Sequence, residues 1–371
     1  MEVVMIISYL RSSSFSCHSM CEQQYFLAYN LCIQQPDQFK SMKGSITHKA
    51  LECIAWHKKC LQDGVLGWND DNFGPMTIDQ CDPDCLIEMS FEYYKNNGNT
   101  FKWNPADLRD CREWMWSVLN CQNGHYHPMN RKIVAPEQPF DFVIEKDWAK
   151  YDYVLPDGTK LKGQLALKGT MDLVTEIKDG IIEIVDYKTG ERIDWANGDI
   201  KTYDKLCNDS QLRIYSYAAW KLFPDVKDII ITIFFTRDGK KYVNGKPPEK
   251  IVGGPFTISL GKDDLEKTES IIRKKFETIR ECTEPYLTPH PSWSGLPSKG
   301  QKILPCTKFC YYGKTMWKDT DKNICQFIHE ETKKKGIDQV IKEHANLDRI
   351  SKYGNAAGRT SEERERGIKD E

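Results

Sequence analysis

The sequence lacks several features that would assign it to a class at once. It has no run of about 20 apolar residues, the length that a helix needs to cross a bilayer. Its first ten residues, MEVVMIISYL, are apolar, but Glu2 stands where a secretory signal carries positive charge, and no small-residue cleavage site follows. The P-loop pattern G-x-x-x-x-G-K-[ST] is also absent. We therefore expect an intracellular protein without a P-loop ATPase site.

Neither sign of charge is in excess. The chain has 52 Lys and Arg residues against 54 Asp and Glu residues, and its net charge is -2. Such a balance does not indicate nucleic-acid binding by the whole surface. A phosphate-binding surface would have to be a local patch.

Cysteine, in contrast, is abundant, with 14 residues. Disulfides are rare in reducing compartments, so clustered cysteines there more often bind a metal or an iron–sulfur cluster. Isolated cysteines more often behave as small buried hydrophobic residues. We expect both kinds in this chain.

The organisation of the chain follows from its changes in periodicity. Helical spacing dominates up to residue 121 and includes a predicted helix over 19–34. Short β-rich runs follow from 131 to 187, beginning with 131–136 and 140–145. A long helix predicted over about 203–222 opens a region of alternating helix and strand patterns that ends at 282, before a Pro-rich loop over 285–305. This order predicts an α/β fold in which a central mixed sheet is flanked by helices. The predicted ranges are N-terminal helices (1–61), a helical insertion (62–130), a core (131–282), a cysteine-bearing C-terminal segment (283–349) and a disordered tail (350–371).

The strongest chemical signal lies in GTMDLVTEIKDGIIEIVDYKTG, residues 169–190. Asp186 and Lys188 are two residues apart on one predicted strand, so both project from the same face. Asp172 lies on the preceding strand. Two carboxylates from adjacent strands can hold Mg²⁺ or Mn²⁺, which prefer oxygen ligands. The alternative, an exposed edge strand, fits poorly with the apolar residues on both faces of IIEIVDYKTG.

Strand register sets a condition on this site. If Asp179-Gly180 were a plain two-residue turn, Asp172 would pair with Tyr187 and face away from Asp186. The sequence therefore predicts a bulge or a three-residue loop in this hairpin, which Gly180 makes easy.

These residues resemble the motifs of the PD-(D/E)XK nuclease superfamily, RecB-like branch: GxxDxV followed by a strand carrying (D/E)xK. Gly44 and His48 in KGSITHKALE resemble its upstream G-x-x-x-H helix. Gln211 and Tyr215 in DSQLRIYSYAAW resemble its downstream Q-x-x-x-Y helix. The resemblance implies a restriction-endonuclease-like core.

The resemblance also implies a role for each matching residue. The metal ligands would be His48, Asp172, Asp186 and the backbone carbonyl of Tyr187. Lys188 would assist the attacking water. Gln211 and Tyr215, four apart on one helical face, would support the lysine strand or touch substrate. Glu52, four residues after His48, is either a supporting residue or a solvated one.

Four cysteines extend the resemblance to iron–sulfur members of this branch, the AddB-type and CRISPR-adaptation exonucleases. In those proteins one cysteine precedes the histidine helix and three follow the core. The matching residues are Cys21, Cys306, Cys310 and Cys325, which would hold a [4Fe–4S] cluster. Cys17 could replace Cys21. Zn²⁺ or free thiols are the alternatives.

Further candidates are less specific. A separate zinc site could form in the insertion from Cys81, Cys85, Cys111, Cys121, His125 and His127. Candidate DNA-phosphate contacts are Lys40, Lys43, Lys201, Lys205 and Arg213. Three tryptophans could stack bases or pack in the core: Trp103, Trp114 and Trp116.

The function that follows is a Mg²⁺- or Mn²⁺-dependent DNA exonuclease. It would act on single strands or duplex ends in recombination, repair, phage replication or spacer acquisition, and any helicase would be a separate chain. Two alternatives remain: a catalytically silent DNA-binding module, and a structural or partner-binding subunit with the same fold.

Overall fold

A computed structural model describes residues 5–33, 35–36, 38–97, 101–193, 199–241, 247–285, 306, 310–318 and 320–345. The predicted tail (350–371) and nearly all of the predicted Pro-rich loop (285–305) lie outside the described residues. The chain divides into a first unit (Met1–Gln35, Phe140–Gly169 and Leu265–Glu371) and a second unit (Pro36–Pro139 and Thr170–Asp264). The five predicted ranges remain a prediction.

The elements carry the following bounds. The strands are β1 (Tyr9–Leu10), β2 (Gly67–Asp70), β3 (Gly74–Thr77), β4 (Lys132–Val143), β5 (Lys150–Val154), β6 (Lys160–Gln164), β7 (Ala166–Lys178), β8 (Ile181–Glu191), β9 (Asp228–Arg237), β10 (Gly239–Lys241), β11 (Glu249–Ile251) and β12 (Gly254–Ser259). The helices are α1 (Ser12–Met20), α2 (Glu22–Tyr25), α3 (Phe39–Asp63), α4 (Pro83–Asn97), α5 (Pro105–Leu119), α6 (Tyr203–Cys207), α7 (Ser210–Leu222), α8 (Asp264–Arg280), α9 (Tyr311–Lys314), α10 (Ile324–Lys335) and α11 (Ile337–His344).

The sheet of the second unit has the order β7-β8-β9-β12. Strands β7 and β8 are antiparallel, β8 and β9 are parallel, and β9 and β12 are antiparallel. Residues 182–187 of β8 are all buried, as the apolar run there predicts for a central strand. The mixed sheet predicted from the sequence is therefore confirmed.

The β7–β8 hairpin contains the predicted irregularity. Its register shifts between Glu176 and Lys178, and Gly180 in the turn has a φ of +76°. The ladder runs to the pair Leu173–Val185. Continuing this register by one residue sets Asp172 opposite Asp186, on the same face of the sheet. The bulge thus satisfies the condition that the two aspartates impose.

Helices flank this sheet. Val185 and Tyr187 of β8 lie in a buried cluster with Ile46, Ala50 and Ile54 of α3. Asp186 and Lys188 alternate to the other face of β8, where Gln211 of α7 meets them. The single helix predicted over 203–222 is interrupted, because the Asp209 side chain accepts from the N–H groups of Gln211 and Leu212 and starts α7 as a new helix.

The insertion is not purely helical. A hairpin formed by β2 and β3 precedes α4 and α5, and both helices pack on α3. The sequence missed the hairpin because its strands are only four residues long and rich in Gly, Asn and Asp.

The first unit contains the N-terminal apolar segment. Met5, Ile6 and Ile7 are at most 1% exposed, and β1 pairs in parallel with the start of β7. The helix predicted over 19–34 is instead split at Cys21, whose extended backbone ends α1 and begins α2. None of the described helices combines the length and the apolarity that a bilayer crossing requires.

A buried ion pair supports the core of the second unit. Arg131 is 8% exposed and donates to Glu183, which is 3% exposed, and to the hydroxyl of Thr175 at 2.8 Å. The hydroxyl of Thr232 also donates to Glu183. We expect Arg131→Met to lower the free energy of unfolding by about 3–5 kcal/mol, because Glu183 would stay buried without its cation. Urea-induced unfolding measures this change.

The matched control is Lys95→Met, which breaks the surface pair of Lys95 with Glu92. Their side chains are 44% and 55% exposed, so the expected loss is below about 1 kcal/mol. Adding Glu183→Gln to Arg131→Met should recover part of the loss. If Arg131→Met and Lys95→Met lowered the free energy of unfolding equally, the buried ion pair would be contradicted.

Candidate active site

The two aspartates of the hairpin lie close together on the neighbouring strands β7 and β8. Asp172 Oδ2 accepts the backbone N–H of Tyr187 at 2.8 Å, beyond the last β7–β8 ladder pair. Asp186 is completely buried, and this burial, together with the charge of Asp172, raises its pKa. The charges of the two carboxylates therefore repel each other.

Lys188 closes a hydrogen-bonded chain on the same face. Its Nζ donates to Asp186 Oδ1 at 2.9 Å and to Gln211 Oε1 at 3.0 Å. The amide of Gln211 donates back to Asp186 Oδ1 at 3.0 Å and to the hydroxyl of Tyr215 at 2.8 Å. Helix α7 thus orients the amide of Gln211 between the lysine and the aspartate.

His48 and Glu137 meet Asp172 from other elements. His48 Nδ1, on α3, lies 3.4 Å from Asp172 Oδ2. Ligand atoms of His48, Glu137 and Asp172 all lie within 4.8 Å of one another. Three elements that are remote in sequence therefore offer one nitrogen and two carboxylates to one point.

The sequence reasoning missed Glu137. It lies in β4 with a φ of +42°, a left-handed conformation that costs about 1–2 kcal/mol in a residue other than glycine. The only signal was its place between two prolines in APEQP, where the predicted β-rich runs 131–136 and 140–145 break. In the structure β4 continues through this point.

Burial and crowding raise the pKa values of the acids. Burial raises the pKa of Glu137 to about 9, with the charges of Asp172 and Glu52 adding to the effect. Burial likewise raises the pKa of Asp186 to about 6, although Lys188 opposes the shift. Burial works against the charge of Lys188, but Asp186 and Asp172 outweigh it and raise the pKa of its ammonium group. The site has more negative charge than its own cations balance.

These donors fit a divalent cation. Asp186 Oδ2 is buried and accepts no well-directed hydrogen bond, although Lys188 Nζ lies 2.7 Å away. Carboxylates suit Mg²⁺ and Mn²⁺, and the imidazole of His48 favours Mn²⁺ of the two. A cavity of about 430 Å³ borders this donor set and includes His48, Glu137, Asp172 and Lys188 in its lining. Glu52 lines the cavity too, so it is not a purely solvated side chain.

Several other candidates are placed differently from the sequence prediction. Lys43 is buried between Asp107 and Asp110, and Arg213 is 2% exposed beside Asp264, so neither can contact DNA phosphates. Their charge was visible in the sequence, but their buried partners were not.

Most of the aromatic and thiol groups singled out in the insertion pack in or against the core, whereas Cys85 is exposed. Trp114 is buried, and Trp103 and Trp116 pack against the cluster that contains Cys81 and Cys111. Among the described residues, no three of the candidate zinc ligands of the insertion lie within 4.8 Å of one another. The proposed insertion zinc site is therefore not formed.

Cysteines of the first unit do converge. Burial raises the pKa values of the Cys21, Cys306 and Cys325 thiols, and electrostatic interactions across all six pairs within the set Cys21, Cys306, Cys310 and Cys325 raise these three pKa values further. Cys17 interacts with only two members of this set. None of the 14 cysteines, all of which are among the described residues, forms a disulfide.

Local backbone geometry supports this convergence. Cys21 joins α1 to α2, Cys310 begins α9, and Cys325 lies in α10. A Cβ on Gly313 would lie 2.3 Å from the backbone oxygen of Cys306, so only glycine allows this close approach.

The chain is similar to a known protein family and to a solved structure. A search of curated protein sequences found no match. A solved structure from Eubacterium rectale, described as a "putative exonuclease", is similar at 12% identity with a TM-score of 0.39, covering 82% of this chain and 94% of its own. The family model of the PD-(D/E)XK nuclease superfamily matches residues 12–313, which include every residue of the candidate site. The chain belongs to the PD-(D/E)XK nuclease superfamily.

Proposed function

We propose that this nuclease is a metal-dependent DNA exonuclease of the RecB-like branch. The observation that carries the proposal is the convergence of His48, Glu137 and Asp172 within 4.8 Å, beside the Asp186–Lys188 pair. The order of the motifs along the chain, from Gly44 to Tyr215, supports the branch. The proposed substrate is intracellular DNA, as a single strand or a duplex end.

His48, Glu137, Asp172 and Asp186 would hold Mg²⁺ or Mn²⁺, and the backbone carbonyl of Tyr187 remains a predicted further ligand. A bound divalent cation supplies Lewis-acid stabilisation of the charge that builds on the phosphate during hydrolysis. The raised pKa values of Glu137 and Asp186 mean that cation binding must displace protons from these carboxyls.

Lys188 would orient the attacking water and neutralise developing negative charge. Its raised pKa keeps the amine protonated, so it acts as a cation and a hydrogen-bond donor rather than as a base. Gln211 fixes the direction of that donor, and Tyr215 holds Gln211 through the 2.8 Å hydrogen bond. These two residues are positioning residues in the proposed reaction.

The test is cleavage of end-labelled DNA by the purified protein in Mn²⁺, in Mg²⁺ and in excess EDTA. Shortening of single strands or duplexes from one end in Mn²⁺, and none in EDTA, is expected. Internal cuts in a circular single strand would overturn the exonuclease assignment. Resistance of DNA together with cleavage of RNA would overturn the substrate assignment.

We also propose that Cys21, Cys306, Cys310 and Cys325 hold a [4Fe–4S] cluster. Tetrahedral Zn²⁺ with Zn–S bonds of ~2.3 Å places its sulfurs about 3.8 Å apart. Among the described residues, no three of these thiols lie within 4.8 Å. This wider spacing favours a cluster, in which each thiolate binds a different iron. The raised thiol pKa values imply that cluster binding releases protons.

Anaerobically purified protein should therefore be brown, with broad visible absorption that Cys306→Ser abolishes. Cys17→Ser is the matched control, because Cys17 interacts with only part of the set, and it should keep the absorption. Stoichiometric zinc in a colourless protein would contradict the cluster. Loss of colour in Cys17→Ser alone would show that Cys17 replaces Cys21.

A further inference from the structure

The insertion forms one wall of the active-site cavity. Asn72, which follows β2, and Tyr94, on α4, line the same cavity of about 430 Å³ as His48 and Asp172. Both side chains are half-buried. None of the motifs that mark the nuclease core includes them.

A buried lysine holds this wall in place. Lys49, next to His48 on α3, is 5% exposed and lies 2.8 Å from Asp70 and 3.0 Å from Glu52. Asp70 Oδ1 in turn accepts the backbone N–H groups of Asn72 and Phe73 at 2.9 and 3.1 Å. The hairpin turn that presents Asn72 is thereby tied to the helix that presents the histidine.

The chemistry of this wall differs from that of a phosphate-binding surface. Both cations that line the cavity are already held by carboxylates, Lys49 by Glu52 and Asp70, and Lys188 by Asp186. What the wall offers is an aromatic ring and a carboxamide with two donors and one acceptor. A nucleobase is recognised by these groups, through its ring face and its hydrogen-bonding edge.

The size of the cavity and the groups on its wall both limit the form of the substrate. A cavity of about 430 Å³ lies at the lower end of the range that holds small ligands. A ring face and a Watson–Crick edge are both accessible only when the base is unpaired and unstacked.

From this wall we propose that Tyr94 and Asn72 bind the unpaired base of the nucleotide next to the scissile phosphate. The enzyme therefore acts on single-stranded DNA, and a duplex end must fray before it is cleaved. This inference rests on the proposed nuclease function and specifies its substrate.

The test compares an intact single strand with a strand that carries an abasic residue at the terminal nucleotide. Tyr94→Ala should lower kcat/KM on the intact strand by about 5- to 150-fold, the effect of removing one base–aromatic stack. On the abasic strand, wild type and Tyr94→Ala should have the same kcat/KM. Tyr94→Phe should keep most of the activity, and Asn72→Ala should lower kcat/KM on the intact strand alone.

Tyr93→Ala is the matched control. Tyr93 is the adjacent tyrosine on α4, packs edge-on against both Phe73 and Tyr94, and does not line the cavity. Its removal should leave the preference for the intact strand unchanged. Thermal unfolding midpoints of all variants show whether α4 remains folded. Equal losses for Tyr94→Ala on intact and abasic strands, or no loss on either, would overturn the base contact.

Failure of the nuclease function can be told apart from failure of this inference. If the wild type cleaves no DNA with any cation, binding of a fluorescent single strand in Ca²⁺ still tests the contact. Weaker binding of the intact strand by Tyr94→Ala, with equal binding of the abasic strand, would support it. Equal affinity of wild type and Tyr94→Ala for the intact strand would refute it. Cleavage with unchanged Tyr94→Ala kinetics would leave the nuclease standing without the base site.

Discussion

Asp186→Asn is expected to lower the rate of Mn²⁺-dependent DNA cleavage by at least about 10²- to 10³-fold, the scale of losing one electrostatic group in an active site. Asparagine matches the shape of aspartate, but it brings no negative charge to a cation and no counter-ion to Lys188. Asp186 is fully buried and accepts hydrogen bonds from both Lys188 and Gln211, so no other group can replace it. Single-turnover cleavage of end-labelled DNA measures the rate directly.

Asp179→Asn is the control for this change. Asp179 lies in the turn of the same hairpin with a side chain that is 94% exposed, and its substitution should leave cleavage unchanged. Full activity of Asp186→Asn would remove this residue from the reaction. An inactive wild type that still binds DNA would favour the silent DNA-binding module, and one that binds neither DNA nor Mn²⁺ would favour the structural subunit.

Glu137→Gln is expected to change activity and stability in opposite directions. Cleavage should fall by at least about 10²-fold, because one of the three converging ligand groups can no longer ionise to bind the cation. In EDTA, however, the variant should be more stable than the wild type by about 1–3 kcal/mol at pH 7–8. The wild-type carboxyl is buried among Asp172, Glu52 and Asp186, and its ionised form is disfavoured there.

The pH dependence of this difference has a defined sign. The pKa of Glu137 is about 9 in the folded protein, against an ordinary value of 4.5 for a glutamate in water. Between these values the folded state holds a proton that the unfolded state has released, so this carboxyl contributes less to stability as pH rises. The advantage of Glu137→Gln should therefore be small near pH 4–5 and grow up to about pH 9.

Urea-induced unfolding of both proteins in EDTA at pH 5, 7 and 9 measures this trend. The matched control is Glu145→Gln, because Glu145 is exposed and does not belong to the candidate site. That control should show the same stability as the wild type at each pH. A pH-independent difference for Glu137→Gln, or a loss of stability, would contradict the raised pKa.

The periods of strands and helices were enough to predict much of the nuclease core from the sequence. The alternation of β8 put Asp186 and Lys188 on one face, and the register argument required the bulge that lies between Glu176 and Lys178. The spacing of four residues put Gln211 and Tyr215 on one helical face, where they form a hydrogen bond. These features depend only on strand and helix periods.

Local rules failed where long-range packing overrides them. The prolines around Glu137 argued for a break in the strand, yet β4 continues with one left-handed residue. The short β2–β3 hairpin has weak strand propensity, but it is tied to α3 through Lys49 and Asp70. Lys43 was predicted to contact DNA phosphates, but in the structure it is buried beside its partners Asp107 and Asp110.

The sequence by itself determined the aspartate–lysine strand, its bulged partner and the order of the family motifs, because these follow from periods of two and 3.6 residues. Only the tertiary structure decided that Glu137 joins His48 and Asp172 and that Tyr94 lines their cavity, whereas the family resemblance had already implied that four distant cysteines meet. Such meetings depend on how buried surfaces pack, and no local pattern encodes the distance between elements that are remote in the chain.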